Sequence, residues 1–304
     1  MTRSAPTPGR TVVLTLLTLL AFAGNSILGR LALADGAIDP LTFSAVRLLS
    51  GALILLPFLR AGGAARPPWR PIAALALLAY ALPFSLAYVS LDAGVGALLL
   101  FGAVQVTMLG VGHLRGERLR PAQWLGGSLA VLGFLVLVRP GLTAPAPMGA
   151  ALMTLAGVAW GAYSLLGRGL AQPTLATARN FLMAAPLALL VRLLVSAPRP
   201  EPRGLALAVA SGALTSGLGY ALWYAALRGH SRISAALVQL AVPVIAALGG
   251  AWLLAEALTP RLVASAGLTV GGIALAILGG ARALAATQPA TAEAEHLPGA
   301  DEAL

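Results

Sequence analysis

The sequence contains no cysteine and no lysine among its 304 residues, and charged side chains make up only 10% of it. Without cysteine, neither disulfides nor thiol chemistry can contribute to the fold or to a reaction. A soluble domain has about 25% charged residues, whereas hydrophobic residues here reach 59% and the mean hydropathy is +0.88. The composition therefore indicates a protein that is embedded in a membrane.

The charged residues are unevenly distributed. All 20 basic residues are arginines, and the ten carboxylates leave a formal net charge of +10. The arginines lie at the ends of apolar segments rather than along one stripe, so we expect no nucleic-acid partner. The carboxylates fall in predicted loops, helix ends and the tail, so no acid lies at the mid-membrane depth where a proton relay needs one. No histidine–carboxylate or serine–histidine cluster is visible at depth, and we expect neither an enzyme nor a bound metal or other cofactor.

Long apolar runs indicate the fold class. A helix that crosses a bilayer needs about 20 apolar residues, and runs of this length recur along the chain. They are continuously apolar, whereas the strands of a membrane barrel alternate with a period of two. We therefore predict an all-α polytopic membrane protein with ten transmembrane helices, over residues 11–33, 40–59, 71–91, 94–113, 121–138, 147–170, 174–195, 203–227, 232–255 and 260–281.

The two halves of the chain resemble each other. Residues 26–30 (SILGR) recur 138 residues later as 164–168 (SLLGR), and residues 117–121 (ERLRP) recur 139 residues later as 256–260 (EALTP). Each half holds five predicted crossings, and a duplicated unit with an odd number of crossings inserts its second copy upside down. We therefore predict two inverted repeats, over residues 11–138 and 147–281, around a central cavity. In such carriers the substrate site lies at the repeat interface near mid-membrane.

The arginines also predict an orientation in the bacterial inner membrane. Short loops rich in arginine stay cytoplasmic, and with both termini inside, 13 of the 20 arginines lie on the cytoplasmic side. The first apolar run follows two arginines as in a signal peptide, but it carries one copy of the repeat, so we expect a permanent helix. Residues 1–10 form the predicted cytoplasmic N-terminus, and residues 282–304 a disordered acidic tail.

The paired Glu-x-Leu-x-Pro turns at 117–121 and 256–260 resemble the drug/metabolite transporter superfamily in its EamA-type ten-helix form. In both copies the turn separates an apolar helix from a glycine-containing one. The resemblance covers residues 11 to 281 and implies an exporter or exchanger whose helices 1, 3, 4, 6, 8 and 9 surround a central cavity. The aromatic content of those helices is similar to that of the YddG-type amino-acid exporters. One departure is Val104, which stands where the second copy has Pro243.

Aromatic and amide side chains at mid-depth form the predicted substrate site. Phe22 and Asn25 share one face of helix 1, and under the repeat they correspond to Trp160 and Tyr163 of helix 6. Aromatic rings attract an ammonium group by about 0.5–2 kcal/mol per contact, and amides or hydroxyls can bind a carboxylate without a buried counter-ion. The alternative for the tyrosines and amides is hydrogen bonding between helices. The predicted substrate-binding residues are Phe22, Asn25, Tyr80, Phe101, Gln105, Trp160, Tyr163, Ser216, Tyr220 and Gln239.

Two arginines and two glutamates carry a separate hypothesis. Arg47 and Arg179 lie near the starts of the equivalent helices 2 and 7, so inversion places them toward opposite membrane faces, where they could act as alternating gates. The alternative is that they extend to lipid headgroups. Glu117 and Glu256 could pair with neighbouring arginines, or each could cap the helix that follows it.

The sequence therefore predicts a transporter that exports small neutral or zwitterionic solutes, amino acids including aromatic ones, by alternating access. A centre without fixed charge would penalise a multivalent anion, and the absence of a buried acid favours facilitated or loosely coupled export as a hypothesis. The expected partners are the small-molecule substrate and the lipid bilayer, with no obligatory protein partner. A broad-specificity drug or metabolite exporter is the nearest alternative, and a non-transporting membrane receptor or scaffold is the alternative of another class.

Overall fold

The computed structural model describes residues 7–61, 68–116, 120–141, 144–167, 170–196, 198–230, 235 and 238–287. The described residues form ten helices and no strand, which confirms the predicted all-α polytopic fold. The helices are α1 (Pro8–Leu33), α2 (Pro40–Ala61), α3 (Pro71–Ala87), α4 (Ala93–Leu114), α5 (Pro121–Val138), α6 (Pro147–Leu166), α7 (Pro173–Leu193), α8 (Pro202–Gly229), α9 (Ala241–Leu254) and α10 (Pro260–Thr287).

Proline marks where most helices begin. Eight of the ten helices start at a proline, which suits the first helical position because its missing N–H would have no partner there. In α2 the preceding Asp39 also caps the helix, since its Oδ1 accepts hydrogen bonds from the N–H groups of Leu41 (3.1 Å) and Thr42 (2.9 Å). Proline thus defines the first residue of most helices in this structure.

Eight helices are long and apolar enough to cross a membrane, and the two shorter ones are α3 with 17 residues and α9 with 14. At about 1.5 Å per residue, α3 and α9 measure roughly 26 and 21 Å. Helix 3 was expected to reach residue 91, but the chain turns after α3 ends at Ala87. The last helix, α10, continues to Thr287, so the first residues of the expected tail are helical and the remainder lies outside the described residues.

The helix ends gather at two opposite ends of the bundle. At one end, Arg30 of α1 donates to the carbonyl oxygens of Tyr88 and Val89 that follow α3. At the other, Arg70 donates to the carbonyl oxygen of Leu166, the last residue of α6, at 2.7 Å. We call these the Arg30 end and the Arg70 end. Because α1 ends at the first and α6 at the second, the equivalent first helices of the two halves run antiparallel.

The helices pack as expected for two inverted halves. The contact of α3 with α6 is matched by that of α8 with α1, and the contact of α4 with α6 by that of α9 with α1. The pairs α2–α7, α4–α9 and α5–α10 each join a helix to its own equivalent. Because each half packs against the other in the same way, helices from both halves meet at the centre of the bundle.

Candidate functional site

Aromatic side chains from both halves meet at the centre. The ring of Trp160 lies 4.9 Å from that of Tyr80, 5.2 Å from Tyr163 and 5.0 Å from Tyr220, measured between centroids. Phe22 contacts Tyr220 edge-on at 5.9 Å. We call these five residues the aromatic cluster. All five were predicted as site residues, and the structure brings them together from α1, α3, α6 and α8.

Arg47 of α2 is the charged member of this centre. Its side chain is only 1% exposed, its Nε donates to the Ser216 hydroxyl at 3.0 Å, and its Nη2 donates to the Tyr80 hydroxyl at 2.8 Å. The guanidinium also lies over the rings of Phe84 (4.5 Å) and Tyr80 (5.1 Å). Its third nitrogen, Nη1, has no hydrogen-bond partner among the described residues.

The burial of Arg47 corrects two sequence predictions. The centre was expected to hold no fixed charge, which is wrong, and Arg47 does not extend to lipid headgroups. It follows the start of α2 at Pro40 by seven residues, which is about 10 Å along the helix, and its side chain turns into the bundle. An unpaired buried cation is costly, and the two hydrogen bonds and the aromatic faces offset part of that cost.

A π-helical stretch of α8, Ser211–Leu218, supplies the polar partners. The hydroxyls of Ser211 (2.8 Å) and Thr215 (3.3 Å) donate to the Oδ1 of Asn25, whose Nδ2 donates to the Tyr80 hydroxyl at 3.2 Å. A π-helix bonds residues five apart, which places Ser211 and Ser216 on the same side of α8. The resulting polar network links α1, α2, α3 and α8.

Sequence reasoning missed this stretch because it assumed the 3.6-residue period of an α-helix. A signal was present, since the dipeptide Ser-Gly at 211–212 repeats after five residues at 216–217. A Cβ at Gly212 would lie 2.0 Å from Ser50 Oγ and 2.1 Å from the carbonyl oxygen of Arg47, and one at Gly217 would lie 2.4 Å from Ile54. The two glycines therefore let α8 approach α2, which holds Ser216 beside Arg47.

The second half has a polar cluster of its own. The Tyr163 hydroxyl accepts from Asn180 Nδ2 at 3.3 Å and lies 3.3 Å from the Thr177 hydroxyl, which donates to the Tyr224 hydroxyl at 3.4 Å. A narrow cleft reaches this cluster, and its lining includes Arg70 of the Arg70 end. Since the Trp160 ring contacts both Tyr163 and Tyr80, the aromatic cluster connects the two polar groups.

Three predicted site residues lie apart from these clusters. Phe101 of α4 is buried but belongs to none of the ring pairs that the described residues form. Gln105, also on α4, is half-buried, as is Gln239 in the helical turn just before α9. The resemblance implied that helices 4 and 9 line the centre. The polar contacts instead come from α2 and α7, which carry Arg47 and Asn180.

Arg179 of α7 lies in the half of the bundle nearer the Arg70 end. Its side chain is 8% exposed, and its guanidinium lies over the ring of Trp69 at 4.8 Å. It is therefore buried against an aromatic ring and does not extend to headgroups. As predicted from the inversion, Arg47 and Arg179 lie toward opposite ends of the bundle, although neither lies at a membrane face.

Ion pairs link the helix ends at the Arg30 end. Arg30 pairs with Glu256 at 3.4 Å and with Asp92 at 3.5 Å, and the Glu256 carboxylate accepts from the Ala93 N–H at 3.0 and 2.9 Å. Burial raises the pKa of Glu256, the charge of Asp92 adds to the rise, and Ala93 and Arg30 oppose it. All four ion pairs among the described residues lie at this end, the others being Arg192–Asp39 and Arg203–Asp35.

Glu256 therefore both pairs with an arginine and caps a helix, although these roles were predicted as alternatives. It pairs with an arginine, but the helix that it caps is α4 of the other half and not the following α10. The residues that correspond to Glu256 and Arg30 under the repeat are Glu117 and Arg168, and both lie outside the described residues.

The model of the EamA-like transporter family matches residues 9–139 and 147–278, one match in each half of the chain. The chain belongs to this family. This EamA-like transporter is similar to the uncharacterized protein PA1977 of Pseudomonas aeruginosa, with 55% identity over 88% of this chain and 94% of the relative. It is 28% identical to the uncharacterized inner membrane transporter YedA of Escherichia coli, over 44% of this chain and 46% of YedA.

A solved crystal structure has the same fold. It covers 89% of this EamA-like transporter and 97% of its own chain, with a TM-score of 0.65 and 26% sequence identity. Together, the family match and the ten apolar helices make the protein a polytopic membrane transporter.

Proposed function

We propose that this EamA-like transporter exports amino acids, aromatic ones included, across the bacterial inner membrane by alternating access. The family supplies the transport function. The similarity to YedA, which is described as an inner membrane transporter, supports the location, and the arginine distribution supports cytoplasmic termini. The identity of the solute rests on the chemistry of the central site.

The observation that carries the solute class is the make-up of the aromatic cluster and its polar network. Trp160 stands between three tyrosines, and hydroxyl and amide groups flank them. Such faces attract an ammonium group and stack on an apolar or aromatic side chain. No carboxylate takes part in the polar contacts of the described central residues, so the site offers nothing to bind a cationic drug by ion pairing.

Alternating access is supported by the difference between the two ends. The helix ends at the Arg30 end are linked by ion pairs, whereas a cleft extends from the Arg70 end to Tyr163. With the predicted orientation, these contacts support a state that is closed toward the periplasm. In export, the solute enters from the Arg70 end, the halves rock around the aromatic cluster, and the ion pairs at the Arg30 end open. Inverted-repeat carriers commonly move in this way.

The test is counterflow in proteoliposomes of the purified chain. Vesicles loaded with unlabelled tryptophan should accumulate labelled tryptophan transiently, whereas a loaded cationic dye should drive no such exchange. Exchange of the dye but not of any amino acid would favour the broad-specificity exporter and overturn the proposal.

Trp160→Ala should abolish the exchange, because it removes the ring that contacts three others at the centre. The matched control is Trp252→Ala, since Trp252 is 84% exposed on α9. The exchange rate of the Trp252→Ala variant should stay at the wild-type level. Equal rates for the two variants would remove Trp160 from the site, provided both purify as monodisperse protein.

A further inference from the structure

One nitrogen of Arg47, Nη1, takes part in none of the contacts described so far at the centre. The side chain is buried, and among the described residues its Nη1 has no hydrogen-bond partner and none of the four ion pairs includes it. A guanidinium in a low-dielectric interior gains strongly from an anion because its charge is poorly solvated there. The described residues supply no anion to Arg47, so this position is suited to an anionic ligand.

We propose that Arg47 binds the carboxylate of the transported solute, an inference that rests on the proposed amino-acid export. Nη1 donates to one carboxylate oxygen. The Tyr80 hydroxyl accepts from both Arg47 and Asn25, so its own proton is left to donate to an acceptor beside Nη1. The carboxylate thus receives two hydrogen bonds, from α2 and from α3.

The number of positive charges favours a carboxylate over a phosphate. Arg47 provides a single positive charge at the central network, and its Nε and Nη2 are already engaged with Ser216 and Tyr80. A phosphate dianion needs at least a second cation to offset its desolvation. The other buried arginine, Arg179, is engaged with Trp69 toward the Arg70 end. A monoanion matches this arrangement.

The aromatic cluster can then bind the other parts of an amino acid, its ammonium group and its side chain. Tyr80 contacts Arg47 on one side and the Trp160 ring on the other, at 5.1 Å from the guanidinium and 4.9 Å between ring centroids. A ligand whose carboxylate lies at Arg47 therefore has its α-ammonium and side chain beside these rings. Recognition of the carboxylate separates amino acids from the amines and cationic drugs that an aromatic site alone would also accept.

The experiment compares tryptophan with tryptophanamide, which keeps the ring and the ammonium but lacks the carboxylate. In proteoliposomes of the full-length chain, we expect wild type to exchange tryptophan about tenfold to a hundredfold faster than tryptophanamide, as for loss of a charge-assisted hydrogen bond. In Arg47→Gln the tryptophan rate should fall to the amide rate of the same variant, so that the preference for tryptophan is lost. Arg47→Lys, which keeps the charge without the planar fork, should restore part of the preference.

Two further readouts separate ligand binding from a structural role. Tryptophan should raise the unfolding midpoint of wild type in detergent but not that of Arg47→Gln. Without ligand, Arg47→Gln should unfold no earlier than wild type, because it removes an incompletely paired buried cation. The matched control is Arg179→Gln, a second buried arginine, which should keep the preference for tryptophan over the amide.

The outcomes distinguish the two proposals. Equal exchange of tryptophan and tryptophanamide by wild type, or an unchanged preference in Arg47→Gln, would overturn the role of Arg47 while amino-acid transport stands. Exchange of no amino acid by the wild-type protein would overturn the proposed function itself.

Discussion

Replacing Gly212 with alanine tests whether the approach of α8 to α2 holds the polar network in place. The added Cβ would lie 2.1 Å from the carbonyl oxygen of Arg47 and 2.0 Å from Ser50 Oγ. The serine hydroxyl can rotate away, but the carbonyl is part of the α2 backbone and cannot. An ordinary carbon–oxygen contact is about 3.3 Å, so α8 must move away from α2 by roughly 1 Å.

That displacement has a calculable effect on the site. The hydrogen bond from Arg47 to Ser216 is 3.0 Å long, and a 1 Å shift would stretch it to about 4 Å, beyond hydrogen-bond distance. Overpacking costs about 1–3 kcal/mol, and loss of a hydrogen bond to a charged group about 1.5–3 kcal/mol. Because the two effects share one displacement, we expect Gly212→Ala to lower the free energy of unfolding by about 3 kcal/mol.

The assay is thermal unfolding in detergent together with tryptophan counterflow. Gly271→Ala in α10 is the matched control, because a Cβ there meets nothing within 4 Å. It should unfold at or above the wild-type midpoint, since alanine is the better helix former, and should transport normally. If Gly212→Ala matched this control in both measurements, the structural account of the polar network would be wrong.

Two predictions concern the Arg30 end. Because burial raises the pKa of Glu256 in the folded protein despite Arg30, protonation of Glu256 stabilises the folded state relative to the unfolded state. This stabilisation is fully present below the usual carboxyl pKa of about 4.3 and is lost as the pH rises through the pKa of Glu256 in the folded protein. The difference in unfolding midpoint between Glu256→Gln and wild type should therefore shrink on acidification, and a constant difference would contradict this. A Cβ at Gly94 would lie 2.7 Å from Ala247, so Gly94→Val should separate α4 from α9. It should speed alkylation of a central cysteine from the Arg30 end, and an unchanged rate would count against closure there.

Much of the fold could be predicted because membrane helices are specified locally. Apolar run length depends on neighbouring residues, so α5 begins and ends at the predicted residues. The ends of the two shorter helices, α3 and α9, were harder to predict. Apolar residues continue past the end of α3 and precede the start of α9, and hydropathy alone does not show where the chain turns.

The candidate site was predictable only in part, for physical reasons that particular residues illustrate. Helical spacing placed Phe22 and Asn25 on one face, and the repeat paired them with Trp160 and Tyr163; the structure brings these four to the centre. Arg47 was misjudged because its distance from the helix start suggested a route to solvent, whereas the direction of its side chain depends on how α2 packs. Gln105, which is half-buried on α4, stays a prediction, since the sequence does not say which helices meet.

The most direct measurement is the two-sided accessibility of one central cysteine. The chain has no cysteine of its own, so Ser216→Cys in a background that still transports can be alkylated with an impermeant reagent in right-side-out or inside-out vesicles. Alternating access predicts reciprocal rates: adding Gly94→Val should raise labelling from the Arg30 end and lower it from the Arg70 end. Rates that rise together from both sides, as in an open channel, would contradict alternating access.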